Sequence, residues 1–417
     1  MTDALICTIG DEILIGEVVD TNSSHLALAL EEAGISVKRM ISIGDSREEI
    51  ADTLTQALAE NAVVITTGGL GPTKDDITKG VLARLSGSSG YVLHEGQLEV
   101  IHRILAGRGL DVLPSNRNQA MVPDTAEVLV NALGTAPVMV FRQVQGGGTL
   151  YALPGVPHEA IGAIPAVLED IRRHQHLDAI LHRSLMVYGM AESALSEHIA
   201  PWEDALPADM HLAYLPQPLT GIRLRLSVYG GDARENEIRV QEQLEKLKDI
   251  LGPLVYADKP SNLETAIGEL LKAHGKTLSA AESCTGGEIA HLITSVPGSS
   301  AYFLGSVTSY AISVKEAVLG VPAETIERYG VVSSEVAAAM AEGVRRLTAS
   351  DYAVSTTGLA GPAGDERNPV GTVWIGVAGP QGTQTVSHCY KNDRKRNIER
   401  FSAAALNFLR LNLLKEL

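Results

Sequence analysis

The first 170 residues alternate short apolar segments with amphipathic ones, and no other feature of the chain restricts the fold as much. The pattern predicts strands at residues 4–9, 37–43 and 63–67, with helices at residues 22–33 and 48–60 between them. Strands that alternate with helices in this way form a mainly parallel sheet covered by helices on both faces. We therefore expect a doubly wound α/β domain at this end of the chain.

The rest of the chain predicts two further units, in keeping with a length of 417 residues. Residues 178–257 read as strand, helix, two strands, helix and strand, a small split β-α-β unit whose strand order resembles KH-like folds. From a helix predicted at residues 263–274, strands and helices alternate again. We expect an α/β protein in which two α/β domains, residues 1–172 and 259–417, are joined by a small α+β spacer at residues 173–258.

Composition narrows the classes of function. The formal charge of −16 comes from 34 basic and 50 acidic residues and repels phosphate backbones, so we expect small-molecule ligands and no nucleic acid. An acidic turn at residues 230–232 argues against RNA binding by the middle unit. The three cysteines form no CxxC pair, as is typical of a reducing cytoplasm. No targeting segment or membrane span is evident, so we predict a cytoplasmic protein with no membrane partner.

Polar loops follow the strands of the first domain, where ligands of such sheets collect. Glycines at residues 68–71 would let the backbone approach a phosphate, or they could simply mark a tight turn. Acidic side chains on these loops could hold a divalent cation against a phosphate, although Asp75 or Asp76 could instead cap a helix. The candidate metal ligands are Asp11, Asp45, Asp75, Asp76 and Glu159.

Segments 10–14, 16–17, 20–22, 68–76 and 153–159 together resemble the molybdopterin-binding type domain at the front of CinA proteins, a family named for competence and damage inducibility. The resemblance implies ADP-ribose pyrophosphatase activity that depends on Co²⁺, Mn²⁺ or Mg²⁺, with Asp45 and Asp76 as catalytic residues. The alternative is a nucleotide or pterin ligand that is bound without turnover. The ligand-binding residues predicted here are Gly10, Asp11, Asn22, Gly68, Gly69, Gly71, Thr73, Gly155 and Pro157.

Several hydroxyl groups and one lysine lie close together in the sequence of the last domain. A serine becomes a good nucleophile when a neighbour accepts its proton, and a lysine can do so when burial lowers its pKa. Ser300 and Lys315 are separated by a predicted strand and turn that could bring them together. From the residues alone, Ser300 is more commonly a helix cap and Lys315 a surface residue. Cys284, in a glycine turn, is a rival nucleophile.

Segments 282–287, 297–303, 332–333, 357–362 and 369–373 resemble the CinA C-terminal domain, which is similar to the stand-alone PncC enzymes. The resemblance implies hydrolysis of nicotinamide mononucleotide to nicotinate mononucleotide and ammonia without a metal, with Ser300 as nucleophile and Lys315 as base. Asn392 and Ile398 depart from the commoner CinA pattern, which leaves the phosphate-binding arginine open between Arg394 and Arg400. The predicted substrate contacts are Glu282, Ser283, Thr285, Gly286, Gly287, Tyr310, Gly358, Ala360, Gly361, Arg394 and Arg400.

Two functions are consistent with these motifs. The first is a bifunctional nucleotide hydrolase that acts on nicotinamide mononucleotide and ADP-ribose, which we expect to be a homodimer. The second is a nucleotide- or pterin-binding scaffold linked to competence or the DNA damage response, with little turnover in the N-terminal domain.

Overall fold

The computed structural model describes residues 2–73, 76–142, 144, 147–175, 177, 180–217 and 219–417. The chain divides into two compact units, which are Met1–His182 with Val228–Ile238 and Arg183–Ser227 with Arg239–Leu417. The first predicted α/β domain lies in the first unit and the second lies in the second unit.

The first unit is built on a six-stranded sheet with the order β2-β1-β3-β8-β7-β6. The pairs β1/β2, β1/β3 and β3/β8 are parallel, whereas β7/β8 and β6/β7 are antiparallel. A separate two-stranded sheet pairs β4 with β5. The elements are β1 Thr2–Ile9, α1 Asp11–Leu14, α2 Asn22–Glu32, β2 Ile35–Ile43, α3 Arg47–Glu60, β3 Val63–Thr67, α4 Thr78–Leu85, β4 Tyr91–Leu93, α5 Glu95–Gly107, α6 Pro114–Gln119, β5 Met121–Pro123, β6 Glu127–Leu129, β7 Val138–Phe141, β8 Thr149–Leu153 and α7 Pro157–His174.

Helices cover both faces of this sheet, which confirms the doubly wound fold. Alternate side chains of a strand point to opposite faces. On β1, Leu5 and Cys7 accordingly pack in one cluster with side chains of α3 and α4. Ala4 and Ile6 pack in the other cluster with side chains of α2 and α7. The carboxyl ends of β1, β2, β3 and β8 therefore lie along one edge of the sheet, and the loops that follow them meet there.

The middle segment forms a four-stranded sheet with the order β10-β11-β9-β12. Its elements follow the predicted order of strand, helix, two strands, helix and strand. They are β9 Ile180–Val187, α8 Glu192–Glu203, β10 Met210–Gln217, β11 Gly221–Tyr229, α9 Ala233–Leu251 and β12 Val255–Ala257.

The C-terminal segment is a second α/β layer structure, with a five-stranded sheet of order β14-β13-β15-β16-β17. The pairs β13/β14 and β13/β15 are parallel, and β15/β16 and β16/β17 are antiparallel. The elements are α10 Leu263–Ala273, β13 Leu278–Glu282, α11 Glu288–Thr294, β14 Phe303–Thr308, α12 Ile312–Ala317, α13 Ala323–Tyr329, α14 Ser334–Thr348, β15 Tyr352–Gly358, β16 Thr372–Gly379, β17 Gly382–Cys389 and α15 Arg394–Glu416.

Strand β13, which lies between β14 and β15, is buried on both faces. Leu278 and Ala280 pack with side chains of α10, α11 and α15 on one face of the sheet. Ala281 packs with α14 on the other face. Because helices pack on both faces of β13, a ligand can reach this strand at its carboxyl end. Among the described residues, no helix is long and apolar enough to cross a lipid bilayer.

Candidate active site

Strand β13 ends in a turn that is held by a buried carboxylate. Glu282 is fully buried, and its side chain accepts hydrogen bonds from the backbone N–H groups of Gly287, Ile289 and Ala290 at 3.0, 3.1 and 2.9 Å. These bonds satisfy N–H groups that helix α11 would otherwise leave without a partner. The Glu282 carboxylate thus shapes the turn that carries Ser283, and Glu282 does not line the cavity beside that serine.

Lys315, on α12, reaches back to this turn with a buried side chain. Its Nζ lies 3.0 Å from Ser283 Oγ, 2.5 Å from the carbonyl oxygen of Ser309 and 3.5 Å from that of Tyr310. Burial lowers the pKa of Lys315, because removing an ammonium group from water disfavours the charged form. A neutral amine can donate its two hydrogens to the two carbonyls and keep its lone pair for the Ser283 hydroxyl. This arrangement suits a serine nucleophile with a lysine base.

The predicted contact between Ser300 and Lys315 is wrong. Ser300 is exposed in a short 3-10 helix before β14, and Lys315 follows that strand. The six residues of β14 extend about 20 Å. Since β14 runs parallel to β13, Ser300 lies near the start of the sheet, whereas Ser283 and Lys315 lie at its carboxyl edge. Ser283, predicted as a substrate contact, takes the place of Ser300 as partner of the lysine.

A cavity of about 240 Å³ opens beside the Ser283–Lys315 pair. Arg394, at the start of α15, donates hydrogen bonds to the carbonyl oxygen of Gly361 at 2.6 Å and to the hydroxyl of Tyr310 at 2.9 Å. Lys315 and Arg394 are the cationic side chains among the described residues that line it. The predicted residues in its wall are Ser283, Tyr310, Lys315, Gly358, Ala360, Gly361 and Arg394.

Other predicted substrate contacts lie elsewhere. The buried hydroxyl of Thr285 is 2.7 Å from that of Thr356 and does not face the cavity. Gly286 and Gly287 are absent from the cavity wall and instead supply the positive φ angles, 65° and 107°, of the turn. Arg400 lines a different cavity, so of the two candidate arginines only Arg394 reaches this one.

The prediction also missed part of the cavity wall. Its apolar side is formed by Ile312, Val331, Val332 and Leu359. Val332 and Leu359 lie in the motif segments 332–333 and 357–362, but they are apolar and were not predicted as contacts. Leu359 directly follows β15, so the strand end was a signal for this residue, whereas Ile312 lies in α12 and Val331 and Val332 lie between α13 and α14.

Cys284, the rival nucleophile, is buried beside Ser283. Burial raises the pKa of its thiol to about 12, so the thiol stays protonated near neutral pH. A Cβ atom at Gly358 would lie 3.2 Å from Cys284 Sγ, which shows how closely the thiol packs against β15. Cys284 therefore serves as a small packed residue.

The first unit has its own cavity, of about 550 Å³, at the carboxyl edge of its sheet. Asp11 lies outside its wall, but its backbone N–H donates to the Asp45 carboxylate at 3.1 Å, and Asp45 N–H donates to the Asp11 carboxylate at 3.2 Å. Asp75 lies outside the described residues. The predicted residues that line this cavity are Gly10, Asn22, Asp45, Gly68, Gly69, Gly71, Thr73, Asp76, Gly155, Pro157 and Glu159.

The carboxylates of this cavity are held by hydrogen bonds. Asp76 accepts from the N–H groups of Gly71 and Thr73 at 2.7 and 2.8 Å, and from the Thr73 hydroxyl at 2.5 Å. Glu159 accepts from the Asn131 amide at 2.7 Å. The pKa of Asp45 is raised, first by partial burial and then by neighbouring carboxylates that include Asp11, Glu12 and Asp76. The acids are thus close enough to repel one another.

This donor set does not form a complete metal site by itself. In the described part of the chain, no group of three or more histidine, cysteine, aspartate or glutamate side chains converges as metal ligands would. Hard oxygen donors suit Mg²⁺ or Mn²⁺, but the carboxylates already accept hydrogen bonds from the protein. No step at this site is therefore assigned to a metal ion.

The glycines of the 68–71 loop have a structural reason to be glycine. A Cβ atom at Gly68 would lie 2.1 Å from the carbonyl oxygen of Ile9, and one at Gly69 would lie 2.0 Å from the hydroxyl of Thr78. Both residues also have positive φ angles, of 112° and 64°. Gly68 and Gly69 are therefore needed for a tight turn, which was one of the two explanations considered from the sequence. Both residues also line the cavity.

The fold and these two cavities define a class of protein: a multidomain α/β chain with a separate ligand cavity at the strand ends of each α/β domain. The family models agree with this division. The probable molybdopterin binding domain matches residues 5–174, the damage-inducible protein CinA KH domain matches residues 182–257, and the CinA C-terminal domain matches residues 260–413.

Full-length relatives show the same family. The chain is 40% identical over 411 residues to a CinA-like protein of Cytophaga hutchinsonii, covering 98% of this chain and 97% of the relative. It is 41% identical over 416 residues to a CinA-like protein of Flavobacterium psychrophilum, covering 99% of each. The chain therefore belongs to the CinA family, and the resemblance seen in the sequence is confirmed.

Solved structures also match part of the chain. The crystal structure of the competence damage-inducible protein A from Klebsiella pneumoniae is 31% identical, with a TM-score of 0.36, and covers 36% of this chain and 95% of that one.

Proposed function

We propose that the C-terminal domain is a Ser/Lys amidohydrolase that converts nicotinamide mononucleotide to nicotinate mononucleotide and ammonia. The observation that carries this proposal is the buried Lys315 Nζ at 3.0 Å from Ser283 Oγ, at the wall of a cavity. A buried amine paired with a serine hydroxyl is the arrangement that activates a serine nucleophile. The substrate is inferred from the resemblance to the PncC enzymes.

The proposed reaction uses the side chains of this pair and the backbone of the turn. Neutral Lys315 takes the hydroxyl proton as Ser283 Oγ attacks the carboxamide carbon. The same proton passes to the amide nitrogen, which leaves as ammonia, and an ester remains on Ser283. Lys315 then takes a proton from water as the water attacks the ester, and it returns that proton to Ser283 Oγ as the acid departs. No metal takes part in these steps.

The negative charge on the carbonyl oxygen needs hydrogen-bond donors. In the turn after Ser283, the N–H of Gly286 donates to the Ser283 carbonyl and the N–H of Gly287 donates to Glu282. The N–H of Cys284 directly follows Ser283, and Cys284 lines the cavity, so we assign the oxyanion to this N–H group.

The phosphate of the substrate is assigned to Arg394. A cavity of about 240 Å³ accommodates the pyridine ring beside Ser283, and the ribose phosphate then extends toward the mouth. Arg394 is exposed there and is held against Gly361 and Tyr310. A guanidinium group in this position can form two parallel hydrogen bonds to a phosphate.

Ammonia release from nicotinamide mononucleotide, measured without added metal, tests the dyad. Ser283→Ala should lower kcat by at least about a thousandfold, as expected when a covalent nucleophile is removed. Ser300→Ala is the matched serine control and should stay within about twofold of the parent. Full activity of Ser283→Ala, or loss of activity in Ser300→Ala with a normal circular dichroism spectrum, would refute the assignment.

We also propose that the N-terminal cavity binds ADP-ribose and hydrolyses its pyrophosphate. Its size, its glycine loop and the carboxylates of Asp45 and Asp76 support this second activity. AMP formation from ADP-ribose, assayed with Mg²⁺, Mn²⁺ or Co²⁺ and after chelation, tests it. Turnover should be lost in Asp76→Asn. Turnover that appears only with one of these ions would show that the substrate phosphates complete a metal site that the protein side chains do not form by themselves. Tight binding of ADP-ribose without AMP formation under any of these conditions would favour the scaffold alternative.

A further inference from the structure

A third cavity lies in the second unit, between the middle segment and helix α15. Its volume is about 1030 Å³, and none of its lining residues borders the cavity of Ser283 and Lys315. One wall comes from residues 188–192, 216–222 and 253–254, as far as the structure describes them. The other wall comes from the end of β17 and from α15. The proposed reactions make no use of this groove.

An aromatic platform lies at the edge of the groove. His388, near the end of β17, and Tyr390, which follows that strand, point to the same side because they are two residues apart. Their rings are stacked, with centroids 5.8 Å apart and planes inclined by 23°. Burial lowers the pKa of His388, which keeps its ring neutral near pH 7 and suited to stacking.

Cationic side chains border this platform. The guanidinium carbon of Arg400 lies 5.7 Å from the centroid of the Tyr390 ring, and no ion pair of Arg400 is found in the described part of the chain. Arg396 stands one helical turn earlier on α15, so both arginines lie on the same helix face. Its only ion pair within the described residues is an exposed one with Asp393 at 3.7 Å. The carboxylates in the groove wall belong to Glu192 and Glu399.

The facing wall is mainly apolar. Met190, Leu219, Ile222 and Leu254 of the middle segment line it, together with the phenol of Tyr188. Burial raises the pKa of Tyr188, so its hydroxyl remains a neutral hydrogen-bond donor. A flat heteroaromatic ring can therefore stack on the platform against an apolar wall while an anionic group faces the arginines.

We propose that this groove binds a nucleoside phosphate, with the base on the His388 end of the platform, since Arg400 lies over Tyr390, and with the phosphate on Arg396 and Arg400. Stacking platforms flanked by arginine recognise nucleotides because every base has a π face and every phosphate accepts hydrogen bonds from guanidinium groups. A chain of net charge −16 would otherwise repel such an anion, which makes the local pair of arginines significant. The proposal is independent of the amidase assignment, because the two cavities share no lining residue.

Photolabelling of the full-length protein with 8-azido-AMP, followed by peptide mapping, locates this site separately from the N-terminal cavity. Label is expected on peptides that contain His388 or Tyr390, and excess AMP should prevent it. Arg400→Gln should weaken AMP protection at these peptides by about tenfold or more. Lys395→Gln removes one charge from the same helix outside the groove, and it should leave protection unchanged.

Two further comparisons make the test decisive. Adenosine should protect at least about tenfold less well than AMP if the arginines bind the phosphate. AMP should protect the Ser283→Ala protein from labelling as well as it protects the parent, which separates this site from the catalytic cavity. Label confined to the N-terminal domain would overturn the proposal. The proposal would also be overturned if AMP protected the parent and a correctly folded Arg400→Gln protein equally well from labelling. Labelling that is blocked by an acidic peptide but not by AMP would overturn it too.

Discussion

Lys315 and Ser283 are 32 residues apart in the chain, yet the lysine Nζ lies 3.0 Å from the serine Oγ. Two neighbouring parallel strands produce this contact, because Ser283 follows β13 and Lys315 follows β14 at the same edge of the sheet. The carbonyls of Ser309 and Tyr310 occupy the other hydrogen-bonding positions of the amine. The pair is thus held by backbone geometry as well as by the two side chains.

The pH dependence of kcat/KM should follow the protonation of Lys315. The pKa of this amine is lowered by burial, and only its neutral form can accept the serine proton. Activity should therefore rise as pH increases through the lowered pKa, with the rise beginning below the range in which an exposed lysine titrates. Ammonia release measured from pH 6 to 10 would show this limb.

A substitution of Lys315 by arginine tests the role of the same amine. Lys315→Arg keeps the positive charge but cannot lose its proton in this range, so its activity should fall by at least about a thousandfold at every pH. An active Lys315→Arg protein, or a parent profile that is flat over the whole range, would show that the lysine is not the base.

Glu282 should matter for stability through the turn that it holds. Glu282→Gln replaces a carboxylate that accepts three backbone hydrogen bonds with a group that offers one oxygen, so the free energy of unfolding of the second unit should fall by about 1.5–3 kcal/mol. Urea unfolding followed by circular dichroism measures this change. Glu288→Gln, in the first turn of the same helix, should cost less than about 0.5 kcal/mol. Equal effects of the two substitutions would contradict the capping role.

The order of strands and helices could be predicted from the sequence because apolar periodicity is a local property. The predicted strand at residues 63–67 matches β3, Val63–Thr67, and the helix predicted at residues 263–274 matches α10, Leu263–Ala273, to within one residue. The antiparallel pairing of β6 and β7 at the edge of the first sheet was not predicted. Strand direction depends on partners that are distant in sequence, which a local pattern does not record.

Local sequence patterns also failed to identify which serine contacts Lys315, because that contact joins residues that are distant in sequence. Ser283 and Ser300 both precede Lys315 in glycine-containing segments, and motif resemblance favoured Ser300. The rule that ligands collect at carboxyl ends of strands favours Ser283, since it follows a strand whereas Ser300 precedes one. Arg394 and Arg400 could not be separated in this way, because both lie on α15 and only the packed helix decides which one reaches the cavity.

Arg394 should contribute to substrate binding more than to the chemical step. Arg394→Gln should raise KM for nicotinamide mononucleotide by about tenfold while kcat changes less, because a charged hydrogen bond to the phosphate is lost. Steady-state ammonia release measures both constants. With nicotinamide riboside, which lacks the phosphate, the parent and Arg394→Gln should perform alike. Lys395→Gln is the control for helix charge, and a KM increase of similar size in that variant would contradict a specific phosphate contact.

Gly68 should be the least replaceable glycine of the N-terminal loop. Its φ angle is 112°, and a Cβ atom would lie 2.1 Å from the carbonyl oxygen of Ile9, so Gly68→Ala must displace the end of β1. We expect a loss of about 3 kcal/mol or more in the free energy of unfolding of the first unit. Gly87 has a φ angle of 67° with no heavy atom within 4 Å of the added Cβ, so Gly87→Ala should cost only about 1–2 kcal/mol. Urea unfolding of both variants separates the steric contact from the backbone strain, and equal losses would show that the contact with Ile9 is not what requires glycine.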